Sequence, residues 1–288
     1  MPKYTSFKAL EDENSKSKSS YFSTEVPIIM GILNITQDSF FDGGKYKTER
    51  DIVKRCEQML EEGATIIDIG AQSSRPGAKP ISAKNELRKL LPIIKLLKNK
   101  FPKLILSVDT YWAKVAEECV NTGADIINDI SAGELDEKMI DTIAKLQVPY
   151  IIMHMQGDPS TMQKNPTYTN VTSEIINYFE KKIKELKNKK IHTIVIDPGF
   201  GFGKNINHNY KLLNNLEKFK KFKIPILVGF SRKSMIYNLL DNSAKESLNG
   251  TSILNTIALR KGAKILRVHD VKEAVECIKI TTFSKNNR

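Results

Sequence analysis

The chain has 288 residues, 40% hydrophobic and 27% charged, enough for one large domain such as an α/β barrel of roughly 250 residues. No run approaches the roughly 18–20 apolar residues of a membrane span. Residues 1–25 are rich in Ser and Lys and lack the apolar core of a signal peptide, so a cytoplasmic protein with no membrane partner is expected. The net charge of +12 comes from Lys residues spread along the chain. Their clusters at 95–103, 181–190 and 218–223 have helical spacing and read as solvated faces, not as a nucleic-acid surface. Cys56, Cys119 and Cys277 are odd in number and scattered, the pattern of reduced thiols.

Taken in order, residues 1–25 read as a polar extension and residues 26–288 as one domain. A β-branched run at 28–33 predicts the first strand and the amphipathic stretch 52–62 the first helix. Strands follow at 65–69, 104–108, 126–128, 150–153, 193–196, 226–228 and 264–267. The helices between and after them are expected at 87–98, 113–122, 136–146, 171–186, 209–219, 233–240 with 252–261, and 271–281. Gly63, Gly123 and Gly262 each follow a helix and precede a strand, the left-handed C′ position. The strands are almost wholly apolar, as parallel strands covered on both sides are. Eight strand–helix units predict an α/β fold, a single (β/α)8 TIM barrel with a polar N-terminal extension; a doubly wound open sheet is the alternative.

In a barrel, active sites lie at the C-terminal ends of the strands, and here those ends are polar. They carry Asn34, Thr36, Asp38 and Ser39; Asp68, Gln72, Ser73, Ser74 and Arg75; Asp109 and Thr110; Asn128 and Asp129; His154 and Gln156; Asp197; Ser231, Arg232 and Lys233; and Arg267, His269 and Asp270. Asp129, Ser131 and Asp270 are expected to cap helices, and Thr110 fits a cap or a site equally. Caps alone do not require a polar group at nearly every strand end; a shared site does. Asp109, Asn128 and Asp197 could meet the donor–acceptor edge of an aminopyrimidine-like ring. Arg75, Lys233, Arg267 and His269 supply positive charge for an anionic group near the rim.

The stretch 197–204, Asp-Pro-Gly-Phe-Gly-Phe-Gly-Lys, has neither the spacing of a dinucleotide fingerprint nor the Ser/Thr of a P-loop. Its rings, Phe200 and Phe202, could wall a flat ligand. The polar loop 34–47 reads as a lid.

With these residues in hand, the sequence resembles the dihydropteroate synthase family. The resemblance rests on 30–44 (MGILNITQDSFFDGG), 68–78 (DIGAQSSRPGA), 107–110 (SVDT), 127–129 (IND), 153–157 (MHMQG), 197–204, 229–234 (GFSRKS) and 267–270 (RVHD). It implies a transferase of folate biosynthesis that condenses 6-hydroxymethyl-7,8-dihydropterin diphosphate with 4-aminobenzoate, with Mg2+ as cofactor and sulfonamides as inhibitors. By motif, it implies Asp109, Asp197 and Lys233 as catalytic residues. Asp109, Asn128, Asp197 and Lys233 would hold the pterin, beside Phe202. Arg75, Arg267 and His269 would bind diphosphate, and Asn34 the metal. Asp38, Phe40, Ser74, Pro76 and Ser234 would shape the 4-aminobenzoate pocket. A homodimer through the last helices is implied.

Three positions depart from the family pattern: Gln37 for Pro, Ala71-Gln72 for Gly-Glu, and Ser74 for Thr. Altered 4-aminobenzoate or sulfonamide affinity is the hypothesis they motivate. Competing readings are a pterin-binding methyltransferase domain, a barrel that has lost catalysis, and a basic nucleic-acid binder. The first is not expected to carry both 34–40 and Ser-Arg-Lys-Ser, the second not an intact set of polar strand ends, and the third has no motif.

Overall fold

A computed structural model describes residues 22, 26–35, 48–72 and 81–287. Its parallel strands are β1 (Ile28–Asn34), β2 (Ile66–Gly70), β3 (Ile105–Asp109), β4 (Ile126–Asp129), β5 (Tyr150–Met153), β6 (Ile194–Asp197), β7 (Leu227–Val228) and β8 (Ile265–Val268). They pair in the order β6-β5-β4-β3-β2-β1-β8-β7. A parallel bridge from Ile196 to Ile226 joins the two ends. The sheet is therefore a barrel, as expected, and not the open alternative.

The helices are α1 (Glu49–Glu61), α2 (Ala83–Lys100), α3 (Ala113–Thr122), α4 (Met139–Leu146), α5 (Val171–Asn188), α6 (Ile206–Asn214), α7 (Ser234–Tyr237), α8 (Leu248–Lys261) and α9 (Val271–Asn286). None of the described helices is long and apolar enough to cross a membrane. Gly63, Gly123 and Gly262 take φ of +107°, +123° and +107°, the expected left-handed ends.

Several helices differ from the sequence expectation: α8 starts at Leu248, earlier than residue 252, and α9 runs on to Asn286, past residue 281. α2 starts at Ala83, earlier than residue 87, because Ser82 Oγ accepts from Asn85 N and supplies the cap. The helix expected at 209–219 is split. Asn215 turns its amide back to Lys211 O, 2.8 Å away, and a 3-10 helix, Leu216–Phe222, follows. The one expected at 233–240 shrinks to α7, because Lys233 is extended and Asp241 is left-handed at φ +50°.

Side chains alternate across each strand, and the alternation positions the site. One inward residue per strand, Met30, Ile66, Ile105, Ile126, Ile151, Val195, Leu227 and Ile265, forms a closed apolar cluster, with Phe22 and Ile28 packed against it. Each fully buried side chain of this kind stabilises the fold by about 1.5–3 kcal/mol. Two residues further along each strand come Ile32, Asp68, Ser107, Asn128, Met153, Asp197, Gly229 and Arg267. The floor of the barrel is dry and its upper half is polar. The outward residues pack on the helices in a second, larger core that buries the three cysteines. Apart from Phe22, the N-terminal extension lies outside the described residues.

Candidate active site

The polar half of the barrel is built around Arg267. Its Nε donates to Asp68 Oδ2 at 2.7 Å and its Nη2 to Asp109 Oδ2 at 2.7 Å. Asn128 Nδ2 donates to the same Asp68 oxygen at 3.0 Å. Strand register explains the meeting: Asp109 is level with Asn128 on the next strand, and Asp68 with Ile32 and Ser107 on either side. Burial pushes Asp109 up to about 7; Arg267 opposes that rise and Asp68 adds to it. Burial also pulls Arg267 down, but Asp68 and Asp109 outweigh it and hold the guanidinium above its ordinary range.

Asp197 and Lys233 form the opposite wall. Burial raises Asp197, while Lys233 and the N–H of Gly199, bonded to Oδ1 at 2.8 Å, pull it back. Lys233 donates to Phe200 O at 2.6 Å, and its ammonium lies 4.5 Å from the centre of the Phe202 ring. Desolvation lowers it to about 8, against the pull of Asp197. Phe202 belongs to an apolar cluster with Tyr111, Ile130, Met153 and Met162. The arrangement pairs an ammonium, two carboxylates and an amide with one flat apolar wall, a setting for a planar heterocycle with polar edges.

The glycine-rich stretch 197–204 supplies that wall with only one of its two rings. Phe200 is fully buried and stacks 4.5 Å from Phe230 in the strand–helix core. Gly199 has φ +73°, and a Cβ there would meet His154 O at 2.0 Å, so the close approach of the two loops requires glycine. Lys204 is a strut. It is buried and donates to Gly199 O and Phe202 O at 2.9 Å each and to His154 O at 3.3 Å. Burial lowers it to about 7.

On the rim, His269 Nδ1 lies 2.9 Å from Ser231 Oγ, and Arg55 Nη2 donates to His269 O at 2.5 Å. Burial and then the charges of Arg267, Arg232 and Arg55 lower His269 to about 3, so its ring is neutral. Neighbouring Arg232 is left-handed at φ +57° and bonds both oxygens of Asp270 at 2.9 Å. It also donates to Ala244 O and Lys245 O. Asp270 is thus no helix cap by side chain, as the sequence suggested; it anchors Arg232. Asp129 and Ser131 are also no helix caps. Asp129 Oδ1 accepts from Ser131 N and Oγ, and Oδ2 from Gly133 N and Tyr150 OH, which ties the turn after β4 well before α4. Thr110 Oγ1 accepts from Trp112 N at 3.2 Å.

Asn34 ends β1 beside Gly70. Ser234 is the exposed first residue of α7, next to Lys233. Gln72 donates to Tyr111 OH at 2.6 Å. Asp38, Phe40, Ser74, Arg75 and Pro76, with Gln37, lie outside the described residues.

Residues 30–269 match the sequence model of the pterin binding enzyme family. The dihydropteroate synthase of Escherichia coli (strain K12) is 44% identical over 268 residues, 91% of this chain and 94% of that protein. The chain belongs to the dihydropteroate synthase family. Two solved members of the family superpose well. The Yersinia pestis dihydropteroate synthase in a sulfonamide drug complex has a TM-score of 0.88 at 41% identity, covering 91% of this chain and 95% of that one. That of Coxiella burnetii in complex with pteroic acid has a TM-score of 0.84 at 36% identity, covering 92% and 95%.

Residues left unassigned by sequence reasoning stand beside the side chains of the site. Asp68 was visible as a polar strand residue, but without a role. The signal was an Asp with the inward parity of Ile66, in a strand otherwise made of Ile and Gly. Tyr111 and Ile130 carried no signal, since they read as ordinary apolar residues, and Met153 stood only in the matched stretch 153–157.

Proposed function

We propose that the chain condenses 6-hydroxymethyl-7,8-dihydropterin diphosphate with 4-aminobenzoate, giving 7,8-dihydropteroate and diphosphate for folate biosynthesis. The observation that carries this reading is the convergence of Asp109, Asn128, Asp197 and Lys233 on one pocket walled by Phe202. Asp197 accepts from the ring's amino edge, Asn128 and Asp109 meet its other polar edge, and Lys233 donates to a ring oxygen or nitrogen. Arg267, His269 and Arg75 bind the diphosphate. His269 does so as a neutral ring, with Nδ1 held by Ser231 Oγ.

Asn34 would hold Mg2+. Gly70 beside it has no side chain, and a Cβ there would lie 3.5 Å from Asn34 Oδ1 and 3.5 Å from Asp109 Cβ, so the pocket keeps room next to a hard oxygen donor. When bound, the metal supplies charge neutralisation on the leaving diphosphate. The C–O bond to diphosphate breaks with its electron pair on oxygen, and Asp109 and Asp197 stabilise the electron-poor pterin methylene. The arylamine nitrogen forms the new C–N bond and loses one proton to water. Asp38, Phe40, Ser74, Pro76 and Ser234 shape the arylamine's pocket.

Residues 26–288 act as the catalytic domain. Its small polar substrates go with the cytoplasmic location expected from the sequence. A homodimer through α8 and α9 fits their exposed Ile253, Ile280 and Phe283. Diphosphate release tests the reading: it should require both substrates, and release from the pterin diphosphate alone at the same rate would indicate a hydrolase.

A further inference from the structure

Asp68 stands mid-strand in β2 and is wholly buried, and its Oδ2 serves two elements at once. It accepts from Asn128 Nδ2 on β4 and from Arg267 Nε on β8. Its other oxygen, Oδ1, is buried without a hydrogen-bond partner. Saturating the fold does not require an anion here: Ser107, its in-register neighbour on β3, is equally buried and leaves its Oγ unpartnered. What distinguishes Asp68 is the pair of groups it holds.

Each would behave differently without it. An Asn side chain presents either an acceptor or a donor, and the two differ by a half-turn about its last torsion. With Nδ2 fixed on Asp68, Oδ1 is the face Asn128 turns away from it. Arg267 shares one edge of its guanidinium between Asp68 and Asp109. Freed from Asp68, that edge is able to close on Asp109 with both donors, the preferred geometry of a guanidinium and a lone carboxylate. That would take Asp109 from the substrate.

We propose that Asp68 is a positioning residue of the pterin pocket: it sets the Asn128 amide and the Arg267 guanidinium in the orientation that meets the substrate, without touching the substrate itself. This rests on the assignment of Asn128 and Arg267 to substrate binding. It makes the mid-strand carboxylate part of the specificity for the ring.

The test is Asp68→Asn in the intact protein, with Ser107→Ala as the control from the same layer. KM for the pterin diphosphate should rise about tenfold or more, the equivalent of one charge-assisted hydrogen bond. KM for 4-aminobenzoate should stay within about twofold. The acid limb of kcat/KM should move to lower pH. Asp109 is faced by Arg267 from β8, Asp68 from β2, Asp129 from β4, Lys233 from the loop after β7 and Glu86 from α2, and the substitution removes one of its acidic neighbours. Ser107→Ala should leave pterin KM and the limb in place. Asp68→Asn with wild-type pterin KM and an unmoved limb would overturn the proposal. So would an equal rise in both KM values with a lowered melting temperature, which marks a structural role only. If Asp68→Asn does not fold, Asp68→Ser is read in the same way; failure of both while Ser107→Ala folds also overturns it. Failure of the functional reading is separate, since the wild-type protein would then form no product.

Discussion

Arg267 Nη2 reaches Asp109 Oδ2 at 2.7 Å across two strands that are not neighbours in the barrel. The contact ties the last strand to the third; burial raises Asp109 to about 7 against the pull of that guanidinium. In the proposed reaction its ionised form accepts from the ring and stabilises developing positive charge. kcat/KM should therefore fall as pH drops through about 7, and Asp109→Asn should lose at least about a hundredfold above pH 8, a gap that narrows as the wild-type carboxylate takes up its proton. A pH–rate profile from 5.5 to 9 checks both; a flat profile for the wild type would contradict the role of Asp109.

Lys233 and Asp197 are proposed to meet the substrate from the other side. Lys233→Ala and Asp197→Asn should each weaken binding of the pterin diphosphate by about tenfold or more, the value of one good hydrogen bond to a charged group. Calorimetric titration measures this directly. The melting temperature should change little for Lys233→Ala, because the half-buried ammonium makes one backbone contact and a ring contact. Near-normal affinity in either variant would break the assignment.

Asp270 holds a buried guanidinium. Asp270→Ala leaves Arg232 charged and short of its bidentate partner, next to Ser231 and Lys233. Breaking such a pair from one side costs about 3–5 kcal/mol, a fall of about 6 °C or more in melting temperature for a chain of this size. Thermal unfolding reads it, and a loss below about 2 °C would show that solvent reaches Arg232 easily.

Much of the site was legible because it follows a period of two. Asp109, Asn128 and Asp197 share the inward parity of the apolar residues below them, so reading strand ends found them together. Asp270 was misread as a cap because its partner, Arg232, is 38 residues away and comes near only when β7 and β8 pair. Phe200 and Phe202 looked equivalent, but alternating left-handed glycines send them to opposite sides, one into the core and one to the pocket. The split after Asn214 was hidden because both halves keep their apolar residues on the buried side, Leu212 and Leu213 before it and Leu216 and Phe219 after it.

Glu86 gives a stability test independent of catalysis. It lies on α2, buried, and burial pushes it up to about 8; the Thr110 hydroxyl pulls it back and the Asp109 charge adds to the rise. A raised folded value means its contribution is complete below the unfolded value near 4.5 and is lost as pH climbs through about 8. Each pH unit across that window is worth up to about 1.4 kcal/mol. Glu86→Gln removes the penalty, so its melting temperature relative to wild type should rise steadily from pH 5 to pH 8. A pH-independent difference would show that Glu86 titrates normally.

The central claim is tested most directly by product formation. The purified chain, given 6-hydroxymethyl-7,8-dihydropterin diphosphate, 4-aminobenzoate and Mg2+, should yield 7,8-dihydropteroate, identified by mass and suppressed by a sulfonamide. Folded protein that forms none at any pH between 6 and 9 would contradict it.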